Sequence, residues 1–461
     1  MDQLSLLKSI VSDISGILKS EDFLNAHRFP NCFVRKRKLS VYHVVTYLLY
    51  STRQAMHNNI SRIIKLGPVQ FPDVTKQAVS KARQGIMPSL FRELFDLSVD
   101  NFKKSALPGK LWRGKEKVFA VDGSKIQLPD SKSNFETFGE MFSRENPEKR
   151  WSLALASLIY DVNNDYICHG LLRPYLSSER RAALDHCRSL ESLGVLKGAV
   201  IIFDRGYYSQ AMFRYFSENG YKCVMRLKEN LKLVKECTGD SILSIEFEDA
   251  ASGQLVSIPV RVLSIDLGNG TTEYLATNLF DKAYTAEDFK ELYFMRWNLE
   301  LKYNELKNQL LLEEFNGATS VSVEQEFYIN LLYSNLASLA KSHADVEIEK
   351  TARQGNKFRY QANRAFIIGR LKDILVPILC GHEPDQKNER GGRSPVPRSS
   401  AATNRTLDLT IFSGRHAATS PRSSLAEALN AKGSRGTAPI STTVRQLSEM
   451  IFSKGGPFDL L

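Results

Sequence analysis

Two apolar β-type runs do most to constrain this chain. Val118-Phe119-Ala120-Val121 and Val200-Ile201-Ile202-Phe203 each deliver an aspartate at the strand's end, Asp122 and Asp204, and then a glycine that turns the chain, Gly123 and Gly206. One such aspartate alone is as readily a turn residue. Two in one chain point to a shared rim, because strand edges of an α/β sheet are where sites form. A third segment carries Tyr293, Arg296, Glu300, Asn304 and Lys307, whose spacing of three and four puts them on one helical face. Leu292, Met295, Leu299, Leu306 and Leu310 form the opposing stripe that packs. The polar face is also compatible with plain surface pairing of Glu300 with Asn304 and Lys307.

The chemistry of these residues is specific. Asp122, Asp204 and Glu300 offer carboxylate oxygens, which magnesium and manganese prefer to the thiolates and imidazoles that suit zinc. A metal pair in such a cradle serves displacement at phosphorus, where one oxygen is activated and another stabilised. Lys and Arg exceed Asp and Glu by 62 to 51, and the resulting +11 favours an anionic partner, nucleic acid foremost.

At 461 residues there is room for two or three domains, and a composition 43% hydrophobic and 25% charged excludes disorder throughout. Cys32, Cys168, Cys187, Cys223, Cys237 and Cys380 form no CxxC pair, which argues against structural zinc and against a disulfide scaffold. No apolar run approaches the ~18 residues of a membrane span, and the first residues carry no basic, then apolar leader. A cytoplasmic protein is expected.

Residues 1–105 read as helical, with apolar positions recurring through Leu4-Leu7-Ile10-Val11-Ile14 and Val41-Val44-Val45-Leu48-Leu49. Between these lies the basic cluster Arg35-Lys36-Arg37-Lys38. Val74 to Arg83 has the polar face of a recognition helix, on which Lys76, Gln77, Ser80, Lys81 and Arg83 would meet phosphates and base edges. Any exposed amphipathic helix can carry such a face. After a turn at Pro108-Gly109 come strands over 117–121, 152–160 and 166–172, the last two joined across Asn163-Asn164-Asp165. A helix over 178–193, a strand over 200–203, a helix over 209–217 and a strand over 222–226 complete an α/β layer arrangement with mixed strand directions. Alternating residues over about 227–279 read as a β insertion, and helices resume over 286–311, 323–342 and 358–379. Beyond Gly381 the chain turns to Ser, Arg, Gly, Pro, Ala and Thr, the composition of a disordered basic tail.

With these residues in place, the chain resembles the DDE transposases of insertion sequence family 4 over roughly residues 30 to 380. Their hallmark is Tyr, two residues, Arg, three residues, Glu, six residues, Lys. Tyr293, Arg296, Glu300 and Lys307 match each interval, and Asp122-Gly123 and Asp204-Arg205-Gly206 match the flanking motifs. The resemblance implies a ribonuclease-H-like α/β catalytic core over 106–380, with a β insertion, behind a helical DNA-binding domain over 1–105. It implies two magnesium ions on Asp122, Asp204 and Glu300, with manganese as a substitute. Arg296 and Lys307 would contact the phosphate near the cut, and Tyr293 would help hold the terminal strand. Trp297 would serve core packing or stack on an unpaired base. The partners implied are double-stranded DNA, as terminal inverted repeats and target, and a second copy of the chain on paired ends. A nuclease on the same fold, or a DNA-binding protein without catalysis, are the rival readings. The stretch after residue 381 departs from the family pattern.

Overall fold

The computed structural model describes residues 2–66, 70–105, 110–146, 148–248, 253–267, 270–351, 359–379 and 415–418. Helices come first: α1 (Gln3–Leu18), α2 (Glu21–Ala26), α3 (Val41–Tyr50), α4 (Met56–Leu66), α5 (Lys76–Arg83) and α6 (Ser89–Lys104). Asp2, Ser20, Ser40 and Thr75 cap four of them, each accepting from the backbone N–H three residues on. The expected stripes are buried, including Leu7, Ile10 and Ile14 of α1 and Val44, Val45 and Leu48 of α3.

There follow β1 (Lys117–Leu128), α7 (Lys132–Phe138), β2 (Glu140–Phe142), β3 (Arg150–Asp161), β4 (Tyr166–Pro174), α8 (Glu179–Ser192), β5 (Ala199–Phe203), α9 (Gln210–Glu218) and β6 (Lys222–Arg226). Next come α10 (Lys232–Glu236), β7 (Asp240–Glu248), β8 (Leu255–Asp266), β9 (Thr272–Thr277), α11 (Ala286–Phe294) and α12 (Trp297–Asn308). The last are α13 (Ser320–Thr351), β10 (Arg359–Ala362), α14 (Arg364–Leu379) and β11 (Arg415–Ala418).

In the main sheet β4, β3 and β1 form an antiparallel meander, and β5 and β6 continue it parallel to β1. The order β4-β3-β1-β5-β6 with these directions is the ribonuclease-H-like core. Phe119, Val121, Ile201, Phe203, Cys223 and Met225 project to one face and pack with Ala183, Cys187 and Leu190 of α8 and Met212, Phe213 and Phe216 of α9. Alternation sends Val118, Ala120 and Asp122 to the opposite face. The insertion is not a separate layer, since β9 pairs with the free edge of β6 and β8 and β7 follow, all antiparallel.

Several sequence expectations need correction. β1 does not end at Val121. Its pairing with β5 stops at Val121↔Phe203, but its pairing with β3 continues to Leu128↔Ser152, so Asp122 lies within the strand and Gly123 makes no turn. The helix expected over 286–311 is two, α11 and α12, meeting at Met295 and Arg296. Residues 359–362 form β10 rather than the start of a helix, and α7, β2 and α10 are additional. The Pro108-Gly109 turn lies outside the described residues, as does the 381–461 tail apart from Arg415–Ala418.

The described residues up to 340, with 364–379, form one compact unit, so the N-terminal helices and the sheet belong together. A second unit takes the described residues 341–351, 359–363 and 415–418. Within it β10 pairs antiparallel with β11, and the Ala362 N–H donates to Asp345 at 2.7 Å.

A buried charge network anchors α12 in the first unit. Lys302, 2% exposed, donates to Asp165 at 2.7 Å and to Glu305 at 3.1 Å. Arg364 pairs with the same two carboxylates and also donates to Ser338 at 2.7 Å. Burial pushes the Asp165 carboxyl up, but Lys302 and Arg364 outweigh it and hold the group well below the usual range. Such a group adds stability above its unfolded pKa, roughly 4, and loses it as pH falls further. Removing one partner strands the others, so Lys302→Ala should cost roughly 3–5 kcal/mol in urea unfolding. Lys132→Ala, in an exposed pair on α7, should cost under about 1 kcal/mol.

Candidate active site

The register of the sheet brings the two aspartates together. Val121 pairs with Phe203 as the last step of the parallel ladder, so the next residues, Asp122 and Asp204, leave adjacent strands side by side. Neighbouring strands are roughly 4.8 Å apart. Asp204 heads a turn in which the Tyr207 N–H donates to its carbonyl at 3.0 Å.

The junction of α11 and α12 closes over this rim. The Tyr293 hydroxyl donates to Asp204 Oδ1 at 3.0 Å, and Arg296 donates to Glu300 Oε1 at 2.9 Å. Arg296 is only 9% exposed, and its Nε, also buried, has no hydrogen-bond partner among the described residues. Tyr293 and Arg296 are thus buried, whereas the Glu300 side chain is 34% exposed and pairs with Arg296 four residues back. Lys307 reaches back to β1, donating to the Lys125 carbonyl at 3.0 Å and standing 3.4 Å from Glu313.

Electrostatics tie the parts together. Burial raises the Asp122 carboxyl to about 6; the Gly123 N–H and the Arg296 charge oppose this, while the Glu179 and Asp204 charges add to it. Burial also lifts the Tyr293 phenol, with the Asp204 charge adding to it. Arg296 is therefore the counter-charge between Asp122, Asp204 and Glu300, and it is held firmly protonated.

Sequence reasoning missed four residues here. Tyr303, one turn beyond Glu300, is buried with its hydroxyl 2.9 Å from the carbonyls of both Asp122 and Ala156, and donates between them. Arg226, at the end of the next parallel strand, lies 3.8 Å from Asp204 and 2.8 Å from Glu273. Its place was available, since the strand over 222–226 was expected with these bounds. Glu179 opens α8 beside Gly123, and Tyr207 is buried below the Asp204 turn. No spacing rule marks either.

The expected DNA-reading residues lie elsewhere on the unit. Arg35, Lys36, Arg37 and Lys38 are exposed on the loop before α3, and Lys76, Gln77 and Lys81 are exposed on α5. Arg35, Arg37 and Lys38 line a groove of about 780 Å³ whose other wall includes Val74, Ala78 and Lys81. Arg83 does not join them. It is 1% exposed and donates to Gln325 and Glu326 of α13, a structural role. Trp297 is not core: it is 57% exposed and shares an apolar stripe with Phe294 and Leu301.

The family described as "Transposase DDE domain" matches residues 113–336, a span that contains both aspartates and the Tyr293–Lys307 helix pair. The chain is similar to the DDE transposases over this span, just under half of its length. A putative transposase y4zB of Sinorhizobium fredii is 27% identical over 197 residues, 40% of this chain and 52% of that protein. The transposase InsG for insertion sequence element IS4 of Escherichia coli is 22% identical over 337 residues, 68% of this chain and 74% of that one. The chain thus spans about half of the first relative and about three quarters of the second. A piggyBac transposase synaptic complex with hairpin DNA aligns at a TM-score of 0.45 and 12% identity, over 85% of this chain and 87% of that one.

DDE transposases use divalent metal, and the donor chemistry here fits it. Asp122, Asp204 and Glu300 are hard oxygen donors, and Asp122 is desolvated beside like charges, a condition a cation relieves. Among the described residues no three His, Cys, Asp or Glu groups stand close enough to enclose an ion as they lie. Glu300 is held by Arg296, so joining the aspartates requires its carboxylate to exchange that partner. A cation held by Asp122 would compete with its proton. Manganese affinity, measured by calorimetry without DNA, should therefore be constant above about pH 7 and fall steadily as pH drops through 6.

Proposed function

We propose that this DDE transposase binds the terminal inverted repeats of an insertion sequence and moves the element by metal-dependent cleavage and strand transfer of DNA. The observation that carries the reading is the convergence of Tyr293, Arg296 and Glu300 on the Asp122–Asp204 rim. Asp122, Asp204 and Glu300 would hold two magnesium ions, for which manganese can substitute. Bound there, the ions supply Lewis-acid charge neutralisation for the entering and leaving oxygens.

The chain's own residues do the rest. Water opens the phosphodiester at the element's end and leaves a 3′ hydroxyl, which then attacks a phosphodiester of target DNA. Arg296, released from Glu300, offers its guanidinium fork to the phosphate at the cut, and its unpaired Nε is already a donor in need of an acceptor. Lys307 contributes a point charge to the same strand, and Tyr293 keeps the terminal nucleotide against Asp204. Exposed Trp297 is placed to stack on an unpaired base.

Residues 1–105 form the DNA-binding part of this assignment. The groove between the Arg35–Lys38 loop and α5 combines phosphate-binding cations with a helix that offers Lys76, Gln77 and Lys81. Residues 106–380 carry out the chemistry and the basic stretch after 381 adds non-specific affinity. The protein works as a homodimer on paired ends, in a prokaryotic cytoplasm at the nucleoid.

Two measurements test the proposal. Asp204→Ala should bind element-end DNA as wild type does and yield no nicked or joined product in magnesium or manganese; cleavage at the wild-type rate would remove Asp204 from the site. Lys81→Ala should weaken end binding and lower the slope of log affinity against log salt by about one, the loss of one phosphate contact. An unchanged slope would place the DNA elsewhere.

A further inference from the structure

We propose that Glu179, at the start of α8 beside Gly123, is a fourth carboxylate of the metal-binding site. The inference rests on the transposase reading above and adds a residue to it. Glu179 is the first residue of α8, which Ser178 caps by accepting the Arg181 N–H. A Cβ built on Gly123 would stand 3.0 Å from Leu155 Cδ1, 3.2 Å from Glu179 Cγ and 3.3 Å from Cδ, so the leucine and the glutamate together occupy the space that a side chain after Asp122 would take. Crowding by Leu155 and Glu179 accounts for the glycine of the first aspartate motif, since Gly123 makes no turn and adopts no left-handed conformation.

The same helical turn grips the second aspartate motif. Arg180 donates to the Gly206 carbonyl at 3.1 Å and to the Tyr208 carbonyl at 3.0 Å. Glu179 is thereby held at the rim where Asp122 and Asp204 emerge. It is exposed, and among the described residues it forms no ion pair. Tyr207, 1% exposed, lies within the fields of Asp122, Glu179 and Asp204, and its hydroxyl is directed to the Glu179 carboxylate.

A glutamate in the first turn of a helix ordinarily does no more than compensate the helix dipole. That role needs neither a glycine at 123 nor a link from the next residue to the second aspartate loop. Magnesium demands near-octahedral oxygen coordination, and a pair of ions has more positions to fill than three carboxylates supply. Glu179 would fill one directly or through a water molecule.

The test is manganese binding to the full chain without DNA, followed by calorimetry, so that no turnover enters the result. Glu179→Gln should weaken manganese binding about tenfold or more, a loss typical of a removed ligand or its immediate support. Asp122→Asn should weaken it at least as much, and Glu136→Gln on α7 should leave it unchanged. Gly123→Ala should reproduce part of the Glu179→Gln loss, because its methyl group displaces the glutamate. Thermal unfolding of each metal-free variant separates loss of the ligand from loss of the fold. Wild-type affinity in folded Glu179→Gln, with affinity lost in Asp122→Asn, would overturn this inference and leave the three-carboxylate site standing. Wild-type affinity in both would overturn the metal site itself.

Discussion

The parallel pairing of β1 with β5 is the constraint on which this protein's chemistry depends. It aligns Val121 with Phe203 and thereby delivers Asp122 and Asp204 at adjacent positions from segments some eighty residues apart in the chain. Side chains alternate with a period of two, so a slip of one residue would turn one aspartate into the α8–α9 core. The core prevents that slip. Phe119, Val121, Ile201 and Phe203 are buried on one face, and moving them outward would expose four large side chains, each worth roughly 1.5–3 kcal/mol. The same apolar packing that folds the sheet therefore sets the position of its carboxylates.

The glutamate depends on a second device. α12 is polar on two sides: Glu300 and Lys307 turn to the rim, while Lys302 and Glu305 are buried against the partly exposed Asp165 and Arg364. Burying two cations and two anions is expensive and stabilises little by itself compared with an apolar contact. What it supplies is direction. Each charge has partners in only one arrangement of α12 against the β3–β4 hairpin, so rotation of the helix would leave buried charges unpaired. Tyr303, bonded to the Asp122 carbonyl, ties the same helix directly to β1. Arg296 then sits among carboxylates as a resident cation, neutralising a rim that would otherwise repel itself.

The polar character of the N-terminal helices divides in a similar way. Arg83 is drawn inward to Glu326 and Gln325 and fastens α5 to α13, whereas Lys76, Gln77 and Lys81 remain on the solvent side. Helical spacing assigns side chains to faces but does not say which face packs when both carry charge. A buried arginine at the end of a polar helix reads in sequence like another surface cation.

What the sequence by itself determined was local and periodic. The apolar runs, the turn at Asn163–Asp165, the helix from Glu179 and the strand from Lys222 to Arg226 follow from composition, alternation and capping, which act over a few residues. The Tyr293, Arg296, Glu300 and Lys307 spacing was equally visible, because a helix converts intervals of three and four into a common face. Tertiary structure alone decided what those faces meet. Asp122 lies inside a strand because β3 goes on pairing after β5 has stopped, and β7–β9 extend the main sheet because β6 offered a free edge. Trp297 is exposed, and Glu179 comes to rest over Gly123. Each of these outcomes depends on contacts between residues distant in sequence, whose partners no local pattern encodes.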